Sequence, residues 1–188
     1  MGKDLSEMTL EELWMLFPIT LVEHKDNWAD DYKQMEKLLE KLLSAFSVYR
    51  ISHIGSTAID GIMAKDIIDV LVEFPKDKDI KEAAEVLANN GFVIMSSEDR
   101  RVSLNRGYTN DGFADKVYHI HLRYAGDNDE LYFKDYLNEH HWIAEQYEKL
   151  KLAFAEKYRN NRDAYTDAKS LFINMCTTEA KQVYGDKY

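Results

Sequence analysis

Apolar residues recur at three- and four-residue steps in three parts of the chain, which is the spacing of one face of an α-helix. One part lies near the N-terminus, and the other two follow Gly126. Their members are Tyr32, Met35, Leu38, Leu39, Leu42, Leu43 and Phe46; Ile143, Tyr147, Leu150, Phe154 and Tyr158; and Tyr165, Ala168, Leu171, Phe172 and Met175. The pattern predicts a helix from Asn27 to Phe46 and a helical C-terminal third.

Between these helices, shorter apolar runs predict strands. They are VYRISHI, DIIDVLVEF, FVIMS, RRVSLNRGY and KVYHIHLRY, and PITLVEH suggests a further short strand. DIIDVLVEF is almost continuously apolar, as a buried central strand should be. KDIKEAAEVLANNG predicts a helix that ends at Asn-Asn-Gly.

Helices and strands alternate at first, and strands then cluster, which favours an α/β (α+β) fold with a mixed sheet flanked by helices. We expect a single domain over residues 1–188. It would contain an α/β core at 18–126 and a helical C-terminal extension at 127–188 packed on that core.

The net charge limits the classes of partner that the protein could bind. With 34 acidic and 24 basic residues the formal net charge is −10, which argues against nucleic-acid or anionic-membrane binding but leaves room for a local basic pocket. Cys176 is the single cysteine, so no disulfide forms within the chain. The N-terminal segment carries acidic residues where a signal peptide needs positive charge. We therefore expect a cytoplasmic protein.

One acidic residue stands out from its surroundings. Asp69 lies between Ile67, Ile68, Val70 and Leu71, and a lone buried carboxylate is costly unless something pairs with it. A metal ion, a cation or hydrogen-bond donors would satisfy it. Asp69 is therefore the candidate catalytic residue, and the structural alternative is a salt bridge with Lys65 or an arginine.

A Gly-Ser turn precedes that strand. Gly55 permits a tight turn, and Ser56 and Thr57 offer hydroxyl and backbone N–H groups to an anion. The order Gly-Ser, then an acid on the next strand, resembles the signature of the nucleotidyltransferase superfamily. That resemblance implies that the turn holds a triphosphate and that two acids, two residues apart, hold Mg²⁺.

The second acid of that pair is absent from this strand. Leu71 occupies its position, and Glu73, the next residue on the same face, would lie about 13 Å along the strand from Asp69. The Gly-Ser match therefore favours the fold more than the reaction.

Longer blocks are similar to the GrpB family, a group related to the nucleotidyltransferase fold. They are HIGSTAIDGIMAKDIIDVLV, NRGYTNDGFADKVYHIHLRYAGDNDELYFKDYLNEH and RDAYTDAKSLF, in the family's order between Leu21 and Phe172. The family usually carries proline where this chain has Asp60 and Asp66, which adds acid near the turn. The resemblance implies a nucleotidyltransferase-like core with a helical tail and a nucleotide-related ligand.

Two histidines alternate along the last predicted strand. His119 and His121 face the same side, together with Arg123, and could bind a divalent metal ion with Asp69 from a neighbouring strand. Mg²⁺ or Mn²⁺ would suit the carboxylate, and a transition metal would suit a site in which both imidazoles ligate. Alternatively, the histidines hydrogen-bond within a polar pocket or contact phosphate.

Several residues are candidates for contacts with a nucleotide or phosphorylated small molecule. The structural alternatives are a helix N-cap for Ser56, surface charge for Lys65, Arg101 and Arg106, and simple packing for Tyr108. Lys169 is carried over from the family block on the last helix. The set is Gly55, Ser56, Thr57, Lys65, Arg101, Arg106, Tyr108 and Lys169.

Three functions remain open from the sequence. The first is a nucleotidyltransferase-like protein that binds a nucleotide with a divalent metal, and the second is a nucleotide- or anion-binding protein that has lost the acid pair. The third is a protein-interaction module. The first two require Asp69 and the imidazoles to converge on one pocket.

Overall fold

The structure is a computed structural model and describes residues 3–188. A 3-10 turn (Leu5–Glu7), helix α1 (Leu10–Leu16) and helix α2 (Asn27–Leu42) precede the sheet. The sheet contains β1 (Arg50–Ile54), β2 (Ile68–Phe74), β3 (Val93–Ser97), β4 (Arg101–Thr109) and β5 (Gly112–Tyr124), with helix α3 (Ile80–Ala88) between β2 and β3. Helices α4 (Asp129–Glu139), α5 (His141–Lys157) and α6 (Arg162–Tyr184) follow. The predicted α/β class, with a mixed sheet and a helical end, is confirmed.

The sheet is mixed, with the strand order β1-β2-β5-β4-β3. Only the β2–β5 pair is parallel, and the other three pairs are antiparallel. The apolar strand β2 therefore lies inside the sheet, as its composition predicts. The parallel register places Asp69 opposite His119 and Leu71 opposite His121.

Strand alternation gives the two faces of the sheet different chemistry. On one face, Val70 and Val72 join the main core, which includes Trp28 and Leu39 of α2 and Leu87 of α3. On the other face lie Asp69, Leu71 and Glu73, and this face is covered by the C-terminal helices. The polar face is consequently buried beneath protein rather than open to water.

The C-terminal helices attach to the sheet through a second apolar cluster. Ile59 and Ile62, from the loop after β1, pack against Phe133 of α4 and Ile143 and Tyr147 of α5. This packing holds α5 and α6 above the polar face and leaves a cavity between them. In residues 3–188, no helix is long and apolar enough to cross a membrane.

One predicted strand is wrong. The segment PITLVEH forms only an isolated bridge, between Val22 and Ala64. Two backbone hydrogen bonds between these residues, of 2.8 and 3.0 Å, hold the segment against the loop before β2.

Candidate functional site

The turn after β1 is built around Gly55. Its φ of +72° is a left-handed conformation that favours glycine. A Cβ atom added there would lie 2.4 Å from Oδ2 of Asp69, so the turn and the carboxylate are in direct contact. Ser56 begins the 3-10 turn Ser56–Ala58, and Gly55 rather than Ser56 is its N-cap.

The Asp69 carboxylate contacts two imidazoles and forms no ion pair with a lysine or arginine within the described residues. Oδ1 of Asp69 is 3.1 Å from Nδ1 of His119 and 3.4 Å from Nε2 of His121. We call these three residues the Asp69 triad, and one ligand atom from each lies within 4.8 Å of the others. The convergence that the sequence predicts is therefore present, and the predicted salt bridge of Asp69 with Lys65 or an arginine is absent from residues 3–188.

The electrostatics of the triad favour an ionised carboxylate beside a neutral ring. Burial alone would raise the pKa of Asp69, but hydrogen bonds with His119 and His121 outweigh it and hold that pKa well below its usual value. Burial lowers the pKa of His119, although Asp69 opposes the shift. Asp69 is therefore available as an anionic ligand at neutral pH.

Hydrogen bonds of Thr57 and His53 stabilise the turn after β1. The Thr57 hydroxyl donates to the carbonyl of Ile67 (3.2 Å) and contacts Nε2 of His53 at 3.0 Å. The His53 ring stacks on Tyr32. Burial lowers the pKa of His53 to about 4, so this histidine is neutral near pH 7 and acts as a structural bridge.

Of the five lysines and arginines that line the cavity beside Asp69, four form one group. They are Lys65, Lys151, Arg162 and Lys169, and we call them the basic cluster. The cavity has a volume of about 530 Å³ and also exposes Gly55, Ser56, Thr57 and His119. Within the described part of the chain, no member of the cluster has a carboxylate oxygen within 4.0 Å, whereas other lysines form ion pairs with aspartate or glutamate.

The lysines of the cluster contact aromatic rings and backbone instead. Nζ of Lys169 lies 4.2 Å from the ring centroid of Tyr165, and that of Lys65 lies 5.9 Å from it. Lys151 is 1% exposed and donates to the carbonyl of Met63. Cation–π contacts and a carbonyl satisfy these groups only in part, because neither carries a full negative charge.

Burial and mutual repulsion lower the affinity of the lysines for protons, and they outweigh the opposing effects of Asp69 and Glu148. Burial, followed by repulsion from Lys65, lowers the pKa of Lys169 to about 7. Burial, followed by repulsion from Lys169, lowers the pKa of Lys151 to about 7. Burial and Arg162 lower the pKa of Lys65 to about 8. A bound anion would reverse these shifts, so the cluster has the electrostatics of an anion site.

These shifts predict the pH dependence of stability. Between pH 7 and pH 9, the unfolded chain keeps protons on Lys151 and Lys169 that the folded protein has released. The free energy of unfolding of the ligand-free protein should therefore rise with pH over this range, by about 2–4 kcal/mol. Urea unfolding at several pH values measures it. Saturating sulfate should flatten the rise, and a curve that falls between pH 7 and pH 9 would contradict the assignment.

Three other predicted contacts lie in different places. Arg101 lines the edge of the cavity but is held by Asp127 through two hydrogen bonds of 2.6 and 2.8 Å. Arg106 lies on the other face of the sheet, over the ring of Phe92, because it is one residue out of phase with the cavity side. The Tyr108 hydroxyl is 2.8 Å from Nε2 of His119, on the outer side of the triad.

Two further acids near the site, Glu73 and Asp66, have structural partners. Glu73 is fully buried and accepts hydrogen bonds from Arg50 (2.5 Å) and Asn128 (3.0 Å). Asp66 accepts from Trp28 (2.7 Å) and Lys25 (2.6 Å), so this departure from the family's proline does not add acid to the cavity.

Sequence reasoning missed two residues of the basic cluster. Lys151 lies four residues after Tyr147, on the apolar stripe of α5, and a lysine on such a stripe is a signal of an enclosed cation. Arg162 begins α6 and is the first residue of the block RDAYTDAKSLF, but no periodicity marks it as part of a site. Only the folding of α6 over the sheet brings Arg162 to His119.

Solved structures share this architecture. The Cid1 poly(U) polymerase, in a mutant form bound to MgATP, matches with a TM-score of 0.51 and 13% sequence identity, over 79% of this chain and 46% of that one. The crystal structure of the conserved protein GrpB from Enterococcus faecalis matches with a TM-score of 0.74 and 24% identity, over 88% and 99% of the two chains. The fold is therefore that of the nucleotidyltransferase-like proteins.

Sequence comparison identifies the family. The family model described as "GrpB protein" matches residues 18–179. The glutamate-rich protein GrpB of Alkalihalophilus pseudofirmus is 35% identical over 170 residues, which are 86% of this chain and 95% of that protein. The chain belongs to the GrpB family, as its sequence blocks predict.

Proposed function

We propose that this protein binds a nucleotide or another phosphorylated small molecule in the cavity, with a divalent cation at the Asp69 triad. The observation that supports this most strongly is the basic cluster. Four basic side chains confined without an ion-pair partner, in a chain of net charge −10, are a destabilising arrangement that an anionic ligand would relieve. Lysine and arginine are the residues that commonly bind phosphate.

The triad is suited to a divalent cation by its spacing and chemistry. One carboxylate and two imidazoles within 4.8 Å form a set that suits Mn²⁺ or another transition metal better than Mg²⁺. A bound ion would neutralise charge on the phosphates. The basic cluster would hold the phosphate oxygens, and the Ser56 turn would lie beside those oxygens.

Binding without nucleotidyl transfer is the second candidate. Leu71, at the position of the missing second acid, is fully buried against Ile54 and Leu131. A carboxylate could not replace it without disrupting that packing. This apolar contact favours a protein that holds its ligand and does not activate it.

Calorimetric titration separates these possibilities. ATP, CTP, GTP, UTP and inorganic sulfate would be titrated with and without Mg²⁺ or Mn²⁺, and pyrophosphate release would be followed in the same samples. Binding with metal-dependent pyrophosphate release that is lost in Asp69→Asn supports an enzyme. Binding without turnover supports the second candidate, and no binding of any of these anions overturns the proposal.

A further inference from the structure

Both imidazoles of the Asp69 triad have an arginine on the side away from the carboxylate. Nε2 of His119 lies 2.8 Å from the Tyr108 hydroxyl and 3.4 Å from Nη2 of Arg162. Nδ1 of His121 lies 3.5 Å from Nη2 of Arg123. Arg162 also donates to the Tyr108 hydroxyl, at 3.2 Å.

These contacts determine which ring nitrogens carry protons. A guanidinium group only donates hydrogen bonds, so the nitrogen that it faces must accept. The Tyr108 hydroxyl accepts from Arg162 and therefore directs its own proton to Nε2 of His119. The hydrogen-bond geometry consequently places a proton on Nδ1 of His119 and on Nε2 of His121, and both point at Oδ1 of Asp69.

This arrangement opposes a metal ion. A cation at the triad needs lone pairs on the same two nitrogens that carry the protons. His119 could present a lone pair only if its proton moved to Nε2, which faces the donors Tyr108 and Arg162. The arginines therefore hold the triad in a form that donates to Asp69 rather than a form that ligates a metal.

The two arginines differ in their freedom to leave. Arg123 is 6% exposed and donates to the carbonyls of Leu122 (3.0 Å) and Val102 (3.4 Å), within the sheet. Arg162 is the first residue of α6, lines the cavity and belongs to the basic cluster. A phosphate in the cavity would be a stronger acceptor for Arg162 than a phenol and an imidazole.

We infer that Arg162 is a positioning residue that keeps His119 in its Nδ1–H form, so that a divalent cation binds Asp69 and Nδ1 of His119 only after an oxyanion has drawn Arg162 away, while Arg123 keeps His121 as a donor to Asp69. The cation part of this inference rests on the proposed function. Anion and cation would then bind in that order, with each increasing the affinity of the other.

Two-bond ¹H–¹⁵N NMR spectra of the ligand-free protein test which ring nitrogens carry protons. The ligand-free protein should show His119 protonated on Nδ1 and His121 protonated on Nε2. Arg162→Met should convert His119 into a mixture of the two forms, and Tyr108→Phe should shift it in the same direction. His119 protonated on Nε2 in the wild type would overturn the inference, whatever the protein binds.

Mn²⁺ binding, measured by electron paramagnetic resonance, tests whether the cation binds only after an oxyanion. Sulfate serves as the oxyanion, and Arg159→Met, at an exposed arginine three residues away, is the matched control. Sulfate should tighten Mn²⁺ binding to the wild type about tenfold, and Arg162→Met should bind Mn²⁺ with similar affinity without sulfate.

The outcomes are distinguishable from failure of the proposed function. Wild-type Mn²⁺ affinity that is independent of sulfate, or unchanged in Arg162→Met, overturns the inference and leaves nucleotide binding intact. If neither sulfate nor any nucleotide binds the wild type, the proposed function fails, and the NMR result alone decides the role of Arg162.

Discussion

Gly55→Ala should lower the free energy of unfolding by about 2–4 kcal/mol, because it combines backbone strain with a steric clash. At φ +72° a side chain is strained, and the new Cβ would lie 2.4 Å from Oδ2 of Asp69. For a protein of this size, the melting temperature should fall by about 6–12 °C. Nucleotide or sulfate binding should fall as well, since relief of the clash displaces the turn or the carboxylate.

Gly91→Ala is the matched control for this change. Gly91 has a φ of +86°, yet a Cβ added there would meet no atom within 4 Å. Its substitution should show the backbone strain alone, about 1 kcal/mol. Equal destabilisation by the two changes would show that the contact between Gly55 and Asp69 is unimportant. In a double-mutant cycle, Gly55→Ala and Asp69→Ala should be non-additive, because loss of the carboxylate removes the clash.

Lys169→Met should weaken sulfate or nucleotide binding by about 10- to 100-fold, the value of one charge-assisted hydrogen bond. The same change should stabilise the ligand-free protein, since it removes a confined positive charge that lies near Lys65 and Arg162. We expect a gain of about 1 kcal/mol at pH 6, and a smaller one at pH 9, where Lys169 has already released its proton. Titration calorimetry and thermal unfolding measure the two effects.

Lys149→Met provides the comparison for Lys169→Met. Lys149 is exposed on α5, outside the cavity, so its removal should leave both binding and stability nearly unchanged. Weaker binding together with lower stability in Lys169→Met would mean that Lys169 is a structural residue, and the anion site would lose its main support. Similar losses in the two variants would point to overall charge rather than to the basic cluster.

The opposite signs expected for Lys169→Met are characteristic of a binding site. A residue retained only for packing would be destabilising to remove. A residue that is electrostatically unfavourable until a ligand arrives should be stabilising to remove and harmful to function. The combination therefore tests the assignment more sharply than loss of binding alone.

The spacing of apolar residues predicted most of the helices and strands, because each of these elements buries one face. The apolar alternation of β2 and the stripes of α2, α5 and α6 depend only on neighbours along the chain. The ends of the elements were less predictable: α2 ends at Leu42 rather than Phe46, and PITLVEH forms a single bridge. Such limits depend on which partners the fold places nearby.

Local patterns along the chain were enough to predict the family, the mixed α/β class and an isolated acid beside a Gly-Ser turn. They also put His119 and His121 on one face of a strand, since alternation follows directly from chain order. Folding, in contrast, was needed to bring Lys151 and Arg162 to Lys65 and Lys169 in one cavity, to place Arg106 on the other face, and to set an arginine against each imidazole. Those positions depend on the packing of α5 and α6 over the sheet, which involves contacts between residues far apart along the chain.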